Sequence, residues 1–344
     1  MTTFTLFTDP HLGTRRAAHT TRESSKRLTL ALFKQAWDVI DGAEKPICLG
    51  DLFDRAFNDE SILVQGYEIA SNCMWTLAGN HDETNRADTV TSLRALREMG
   101  CSIISSPSLS EPYFDNFEPF YFVPHHASQQ LFEQAMLDAA EHAARERAGQ
   151  ASVLMLHCNY DQPFATEDDT LNLSPAVANL MLESFDYIFI GHEHKPSTYF
   201  DGRVVILGNT HPTSFADISD KFSYQLEITD DSIDLTKTRI WSKDERFASV
   251  MFGQELPDLG GVQFIDVIGA ADEAVAVADF MQMVWENAPD ALAVRNSVSV
   301  AGVNVVDDEA EKPVVEDLRT RISRELDGTD LADLFSELAK EVAV

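Results

Sequence analysis

The sequence predicts an α/β, or layered α+β, protein with one large domain and one smaller domain. From residue 1 to about 240, short apolar runs typical of buried strands alternate with amphipathic stretches typical of helices. A shorter strand–helix–strand pattern follows at about 262–300. The chain has 344 residues and a hydrophobic content of 44%, which is enough to bury a sizeable core.

The strands predicted for the large domain are short apolar runs with polar residues at their ends. They cover residues 4–7, 46–49, 74–77, 120–123, 153–156, 187–190, 204–207 and 224–228. Ser128 and the pair Ser174-Pro175 each predict the start of a helix, because serine caps a helix and proline suits its first turn.

The predicted organisation has four segments. These are a first domain over residues 1–245, a small α/β domain over 246–303, an acidic linker over 304–328 and a C-terminal helix over 329–344. Apolar residues recur at helical spacing in the last segment. They are Leu331, Leu334, Phe335, Leu338 and Val342. Such a stripe predicts docking into a groove of a partner, with packing against the protein's own core as the alternative.

Composition limits the functional classes. The formal net charge is −31, from 57 acidic and 26 basic residues, which argues against unaided binding to nucleic acid over a broad surface. The four cysteines are scattered and form no CxxC pair, as expected in a reducing compartment. The sequence shows neither the features of a signal peptide nor an apolar run long enough to span a bilayer. We therefore expect a cytoplasmic protein without a membrane partner.

Five short motifs rich in Asp, Asn and His follow predicted strands. They are Asp9-Pro-His11, Gly50-Asp51-Leu-Phe-Asp54, Gly79-Asn80-His81-Asp82, His157 and Gly191-His192-Glu-His194. Side chains from distant segments converge at strand ends, and glycine lets the backbone approach closely. Any one motif could arise by chance or serve packing, but all five in order predict a cage for metal ions.

The order of these motifs resembles that of the calcineurin-like metallophosphoesterases, over residues 9–194. The resemblance implies a β-sandwich flanked by helices, with a small α/β capping domain and a C-terminal helix. It also implies two divalent ions, the first held by Asp9, His11, Asp51 and His194 and the second by Asp51, Asn80, His157 and His192. Asp51 would then bridge the two ions.

The resemblance assigns roles to three further residues. It implies that His81 acts on the phosphate, where it could stabilise charge in the transition state or protonate the leaving oxygen. Asp82 is a candidate for orienting the His81 ring, with an exposed loop carboxylate as the alternative. Asp54 is expected to hydrogen-bond a ligand histidine, with a local turn contact as the alternative.

Mixed imidazole and carboxylate ligands suit Mn, Fe or Zn better than an all-oxygen magnesium site does. The segments TDPHLG and GDLFDR, and the stretch from Val204 to Ile228, resemble SbcD-type DNA-repair nucleases and related phage recombination nucleases. This closer resemblance favours manganese as the metal, with Mg, Fe and Zn as alternatives. By contrast, GDLFDR differs from the GDYVDRG form of protein Ser/Thr phosphatases.

This closer resemblance implies a DNA exo/endonuclease subunit that works with an SbcC-type coiled-coil ATPase. If the chain is phage-encoded, its compartment is the host cytoplasm. A homodimer through segments near the active site is also expected. In one departure, Asp54 stands where some relatives have a histidine tied to exonuclease activity. The alternatives are a small-molecule or cyclic-nucleotide phosphodiesterase and a non-catalytic scaffold.

Candidate DNA contacts are basic or histidine side chains near the motifs, although solvated surface is the alternative for each. The basic cluster after the first motif comprises Arg15, Arg16, Arg22, Lys26 and Arg27, and the loop histidines are His125, His126 and His211.

Overall fold

The computed structural model describes residues 2–14, 19–84, 86, 89–117, 119–146, 151–162, 171–229 and 232–300. The helices are α1 (Arg22–Ile40), α2 (Glu60–Asn72), α3 (Ser92–Glu98), α4 (Gln129–Glu146), α5 (Pro175–Met181), α6 (Lys243–Arg246) and α7 (Ala274–Asn287). The predicted linker and the predicted C-terminal helix, with its stripe from Leu331 to Val342, lie outside the described residues.

The strands in chain order are β1 (Thr2–Phe7), β2 (Pro46–Cys48), β3 (Trp75–Leu77), β4 (Ile103–Ile104), β5 (Asp115–Phe117), β6 (Phe120–Val123), β7 (Val153–His157), β8 (Asn159–Tyr160), β9 (Asn172–Leu173), β10 (Tyr187–Gly191), β11 (Ser197–Tyr199), β12 (Val204–Ile206), β13 (Lys221–Ile228), β14 (Ile233–Trp241), β15 (Phe247–Met251), β16 (Phe264–Ala271) and β17 (Ala293–Val300).

Two six-stranded sheets form the large domain. The first has the order β14-β13-β1-β2-β3-β4, in which β1 to β4 run parallel and β13 and β14 are antiparallel. The second has the order β11-β12-β10-β7-β6-β5, with parallel central strands and antiparallel edges. The parallel strands of each sheet therefore end at the same edge.

The sheets pack face to face, and helices cover their outer faces. Strand β6 illustrates this arrangement, because successive side chains of a strand point to opposite faces of its sheet. Phe120 and Phe122 enter the core between the sheets, whereas Tyr121 and Val123 pack in the core under α4 and α5. Helices α1, α2 and α3 cover the first sheet in the same way. This layered sandwich confirms the predicted fold class.

Both predicted helix starts are confirmed. Ser174 caps α5 by accepting a hydrogen bond from the Val177 N–H, and Pro175 occupies its first turn. Helix α4 begins directly after Ser128 and buries a stripe that includes Phe132 and Met136. No helix in the described ranges is both long and apolar enough to cross a bilayer.

Residues 247–300 form a further α/β unit, which we call the C-terminal unit. Its three parallel strands, β15, β16 and β17, pack against α7. The sequence patterns predicted β16, α7 and β17 but missed β15. The unit contacts the large domain where Phe264 and Leu292 meet Leu28 and Leu32 of α1.

Candidate metal centre

The five motifs meet at one edge of the sandwich. Asp9 and His11 follow β1, Asp51 follows β2, and Asn80 follows β3, so the first sheet supplies ligands from three adjacent parallel strands. From the second sheet, β7 ends on His157 and the residues after β10 are His192 and His194. The site lies at the carboxyl ends of the strands because every contributing strand runs in the same direction within its sheet.

Asp9, His11 and His194 form the first group of candidate ligands. The Nε2 atoms of His11 and His194 are only 2.9 Å apart, and Asp9 Oδ1 lies 3.6 Å from His11 Nε2. Asp51 Oδ2 is 3.8 Å from the same His11 nitrogen. The structure thus brings together the four residues expected to hold the first ion.

The second group contains Asp51, His157 and His192. His157 Nε2 lies 3.3 Å from Asp51 Oδ2 and 3.2 Å from Asn80 Oδ1, and His192 Nδ1 lies 3.0 Å from that amide oxygen. The other ring nitrogen of His157 donates to the Leu49 carbonyl at 2.7 Å, so Nε2 is the atom turned toward the group. Asp51 lies beside both groups, as a bridging ligand must.

The backbone around these groups is held in uncommon conformations. Asp9, His11, Asp51 and His192 have φ values of 54°, 47°, 49° and 89°, in the left-handed region that residues with a Cβ rarely adopt. Such strain persists only where the surrounding structure enforces it, and it concentrates at functional sites.

Gly79 allows the closest approach within the site. A Cβ on this residue would lie 2.2 Å from Asp51 Oδ1 and 2.5 Å from the Asp51 main-chain nitrogen. Only a residue without a side chain fits, because real Cβ atoms essentially never come this close to other heavy atoms.

We expect Gly79→Ala to displace Asp51 and weaken metal binding. Overpacking of this kind costs about 1–3 kcal/mol of stability, so the melting temperature should fall as well. Calorimetric titration with Mn²⁺ and thermal unfolding check the result. Gly260→Ala is the matched control, because a Cβ there meets only the Asp258 carboxylate, at 3.2 Å. Unchanged Mn²⁺ affinity in Gly79→Ala would contradict the packing argument.

The buried carboxylate of Asp51 is stabilised by positive charge on its neighbours. Burial alone would raise the pKa of Asp51, but His157 and His11 hold that pKa well below its usual range. Burial alone would lower the pKa of His157, but Asp51 and Asp9 raise it to about 10. The positive charge beside Asp51 can come from a proton on His157 or from a cation, and binding a cation releases the proton.

The residues fit divalent metal ions. Asp9 Oδ2 accepts from the Thr8 hydroxyl at 2.6 Å and from the His192 N–H at 2.9 Å, whereas the buried Asp9 Oδ1 has no hydrogen-bond partner. A bound metal ion would satisfy this buried carboxylate oxygen. Imidazole and carboxylate donors within 4.8 Å of one another are a suitable ligand set.

Residues 2–196 match the model of the family described as "Calcineurin-like phosphoesterase". The chain belongs to this family. The two groups of ligands are where a member of the family would bind divalent metals. No curated protein matches the chain.

Two solved structures are similar to this phosphoesterase. One is a candidate 5′-nucleotidase from Staphylococcus aureus in complex with alpha-ketoglutarate, with 12% identity and a TM-score of 0.41. That match covers 69% of this chain, which spans about half (52%) of the nucleotidase. The other is wild-type Vps29 from Entamoeba histolytica complexed with Zn²⁺, with 13% identity and a TM-score of 0.29. That match covers 69% of this chain and 99% of Vps29.

His81 lies at the open side of the centre of this phosphoesterase. Its side chain is exposed, its Nδ1 donates to the Asp54 carbonyl at 2.9 Å, and its N–H donates to Asp51 Oδ1 at 2.9 Å. Partial desolvation by the surrounding loops lowers the pKa of His81, but Asp51 and the Asp54 carbonyl outweigh that effect and raise the pKa above its usual value. A protonated ring at this position can donate to a phosphate oxygen.

Asp82 and Asp54 differ from the expectation. The Asp82 carboxylate is fully buried and accepts from the main-chain N–H groups of Leu52, Phe53 and Gly79, so it ties two motif loops together and does not orient the His81 ring. Burial raises the pKa of Asp82 to about 7. Asp54 Oδ1 is 3.7 Å from His11 Nδ1, too far for the predicted hydrogen bond.

The structure contradicts the predicted DNA contacts of His126 and His211. Both are buried, at 2% and 1% exposure, and both ring nitrogens of each are hydrogen-bonded within the protein. Arg27 is also engaged within the protein, because its guanidinium donates a hydrogen bond to the Pro289 carbonyl in the C-terminal unit. Arg22 and Lys26 are exposed, whereas Arg15 and Arg16 lie outside the described residues.

The sequence patterns missed Asp217 and Lys221. The Asp217 carboxylate lies 3.2 Å from His194 Nδ1, and the Lys221 ammonium donates to the His194 carbonyl at 3.0 Å. Burial alone would raise the pKa of Asp217, but the His194 hydrogen bond and Lys221 hold it below its usual range. The available signal was the pattern Ser214-x-x-Asp217, which forms a capping box.

Proposed function

We propose that this phosphoesterase is an SbcD-like DNA exo/endonuclease subunit that hydrolyses phosphodiester bonds in repair or recombination with two manganese ions. One observation carries the proposal, namely that the C-terminal unit packs beside the metal centre. Phe264 of that unit lies 5.7 Å from Phe215, measured between ring centroids, and Asp217 in the same short turn contacts His194. A unit at this position can guide a polymer past the centre, whereas a small phosphoester needs none.

The sequence supports the same proposal. TDPHLG, GDLFDR and the stretch after the last motif resemble SbcD-type nucleases. In this proposal residues 1–245 are the nuclease domain and residues 246–303 are a capping domain. Within the described residues, β15 begins at Phe247 and β17 ends at Val300, and both belong to the same three-stranded sheet.

The ligands divide into two sets in the proposed reaction. One set is Asp9, His11, Asp51 and His194, and the other is Asp51, Asn80, His157 and His192. Two ions bound in this way would activate water and clamp phosphate oxygens. The protein prepares the ligands in advance, since Thr8 fixes the Asp9 carboxylate and the Leu49 carbonyl fixes the His157 ring. The mixed donors favour manganese over magnesium.

His81 is assigned to the phosphate. Its Nδ1 is engaged by the Asp54 carbonyl, so the remaining nitrogen, Nε2, is available to substrate. There it can stabilise negative charge on phosphate oxygens or donate a proton to the leaving oxygen.

DNA must approach against a net charge of −31. The exposed Arg22 and Lys26 begin α1, which packs next to the loop after His11 through the Thr29 hydroxyl bond to the Thr14 carbonyl. They are the proposed contacts to the DNA backbone. His125 is a further candidate, because it is only half-buried, unlike His126 and His211, and its N–H donates to the Ala78 carbonyl beside Gly79.

Digestion of end-labelled single- and double-stranded DNA tests the function directly. We expect cleavage with Mn²⁺, loss with excess chelator, and recovery when Mn²⁺ is restored. Asp51→Asn protein purified in parallel controls for contaminating nucleases. Hydrolysis of bis-p-nitrophenyl phosphate or of a cyclic nucleotide without any DNA cleavage would instead favour the small-molecule phosphodiesterase.

The proposed partners are an SbcC-type coiled-coil ATPase and a second copy of this chain. The helix proposed for residues 329–344 would bind the ATPase, and the exposed Val64 and Tyr67 of α2 offer a surface for the second copy.

We expect deletion from Asp330 onward, or the pair Leu334→Asp and Phe335→Asp, to abolish binding to the ATPase. Melting temperature and Mn²⁺-dependent cleavage of short single-stranded DNA should stay unchanged. Size-exclusion chromatography of the two-protein mixture measures the complex. A large drop in melting temperature with partner binding intact would show that the apolar stripe packs on the protein's own core.

A further inference from the structure

One short segment of the chain makes two hydrogen-bonding contacts to His194. The segment runs from Asn209 to Lys221 and follows β12. Asp217 Oδ2 lies 3.2 Å from the Nδ1 of the His194 ring, and Lys221 Nζ lies 3.0 Å from the His194 carbonyl oxygen. One contact therefore fixes the ring and the other fixes the main chain.

The Asp217 carboxylate is itself immobilised. Its Oδ2 also accepts from Asn209 Nδ2 at 2.8 Å and from the Thr213 N–H at 3.0 Å, and its Oδ1 accepts from the Ser214 N–H at 2.9 Å. The turn that carries Asp217 is packed from the C-terminal unit, because Phe215 meets Phe264 edge to face. A carboxylate held by this many donors cannot follow the ring, so the ring must follow the carboxylate.

Lys221 is an unusual second anchor because its side chain is fully buried. Its ammonium donates to three acceptors, namely the carbonyls of His194 and Asp217 and the Ser219 hydroxyl. Buried lysines are rare and need such partners. The bond to the His194 carbonyl fastens the segment to the loop that carries His194, and the other two bonds hold the segment itself together.

The hydrogen bond to Asp217 selects the tautomer of His194. An ionised carboxylate can only accept, so Nδ1 carries the hydrogen, and in the neutral ring Nε2 then presents a lone pair. Nε2 is the atom that faces His11 Nε2 at 2.9 Å in the first ligand group. We propose that Asp217 is the positioning residue of this group, holding His194 in the metal-binding tautomer, and that Lys221 fixes the main chain of the same ligand.

This inference is independent of DNA as the substrate, because it concerns only the binding of an ion. Asp217→Ala should lower the Mn²⁺ affinity of one of the two sites by about 10–100-fold, the usual effect of losing the partner of a ligand histidine. The other site should keep its affinity, because no contact to Asp217 is found among its described ligands. Calorimetric titration with Mn²⁺ alone resolves the two.

Two further variants separate positioning from general damage. Ser214→Ala disturbs the same turn, since the Ser214 hydroxyl accepts from the Ala216 N–H and donates to Asp217 Oδ1 at 3.4 Å, yet it keeps the shorter bond from the Ser214 N–H to that carboxylate. It should lower the melting temperature without weakening either ion. In a His194→Ala background, Asp217→Ala should cause no further loss of Mn²⁺ affinity, because the two residues act through one contact.

Nitrogen-15 NMR of the histidine rings in metal-free protein provides a readout that a purely structural role would not change. Wild-type His194 should show a protonated Nδ1 and a free Nε2, and Asp217→Ala should lose this preference. If Asp217→Ala binds both Mn²⁺ ions with wild-type affinity, or if Ser214→Ala loses the same ion to the same extent, the assignment of Asp217 is wrong.

Discussion

We expect Asp51→Asn to lose both metal ions and to lower phosphodiester hydrolysis by about 10³-fold or more. Asp51 Oδ2 lies 3.8 Å from His11 Nε2 and 3.3 Å from His157 Nε2, so one carboxylate serves both ligand groups. Metal ions contribute several kcal/mol to such reactions, and each 1.36 kcal/mol is worth about a factor of ten in rate. Asparagine keeps the shape of the side chain but removes the negative charge that two cations would share.

Metal content by mass spectrometry and hydrolysis of bis-p-nitrophenyl phosphate measure this effect without assuming DNA as the substrate. Asp201→Asn makes the same chemical change at an exposed turn before β12, where asparagine tolerates the left-handed backbone at φ 54°. This control should keep both ions and full activity. Retention of two tightly bound ions, or of the wild-type rate, in Asp51→Asn would contradict a shared carboxylate.

The fold class and the ligand groups could be predicted because central parallel strands are local apolar runs. β6 begins and ends where the apolar pattern predicts, at Phe120 and Val123, since both faces of that strand are buried. The ligands follow such strands, so each motif is marked by its position after an apolar run. The convergence of the motifs then follows from the parallel direction of the strands.

Edge strands could not be predicted in the same way. β14 (Ile233–Trp241) is mostly exposed, and it is a strand because it pairs with β13 along its length. Such pairing depends on a neighbour and leaves little trace in hydrophobicity. β5 and β11 are short edge strands that are likewise defined by antiparallel pairing with a neighbouring strand.

The loop histidines show a second limit. His211 looks like a polar loop residue in the sequence, yet its ring hydrogen-bonds Gln263, 52 residues away in the C-terminal unit. Burial lowers the pKa of His211 to about 4, so the ring is neutral at physiological pH. Whether a histidine faces solvent or a domain contact depends on the docking of distant segments, which residue types alone do not specify.

We expect His81→Ala to keep both metal ions while losing about 10²–10⁴ in turnover, the usual contribution of general acid–base catalysis. The main-chain N–H of residue 81 donates to Asp51 Oδ1, and alanine retains that bond, so the bridging carboxylate should stay in place. Metal analysis is needed alongside kinetics, because His81 lies near enough to His11 and Asp51 to form a third possible ligand group.

The leaving group of the substrate distinguishes the two roles of His81. If the ring protonates the leaving oxygen, the loss in His81→Ala should be large for DNA and small for a p-nitrophenyl ester, because nitrophenolate departs without a proton. If the ring stabilises charge on the phosphate, the loss should be similar for both substrates. His142→Ala on α4 is the control, since His142 contacts Tyr121 and Phe114 in the helix-covered layer and should change neither rate. Depletion of an ion in His81→Ala would make His81 a ligand, and the transition-state role would then be wrong.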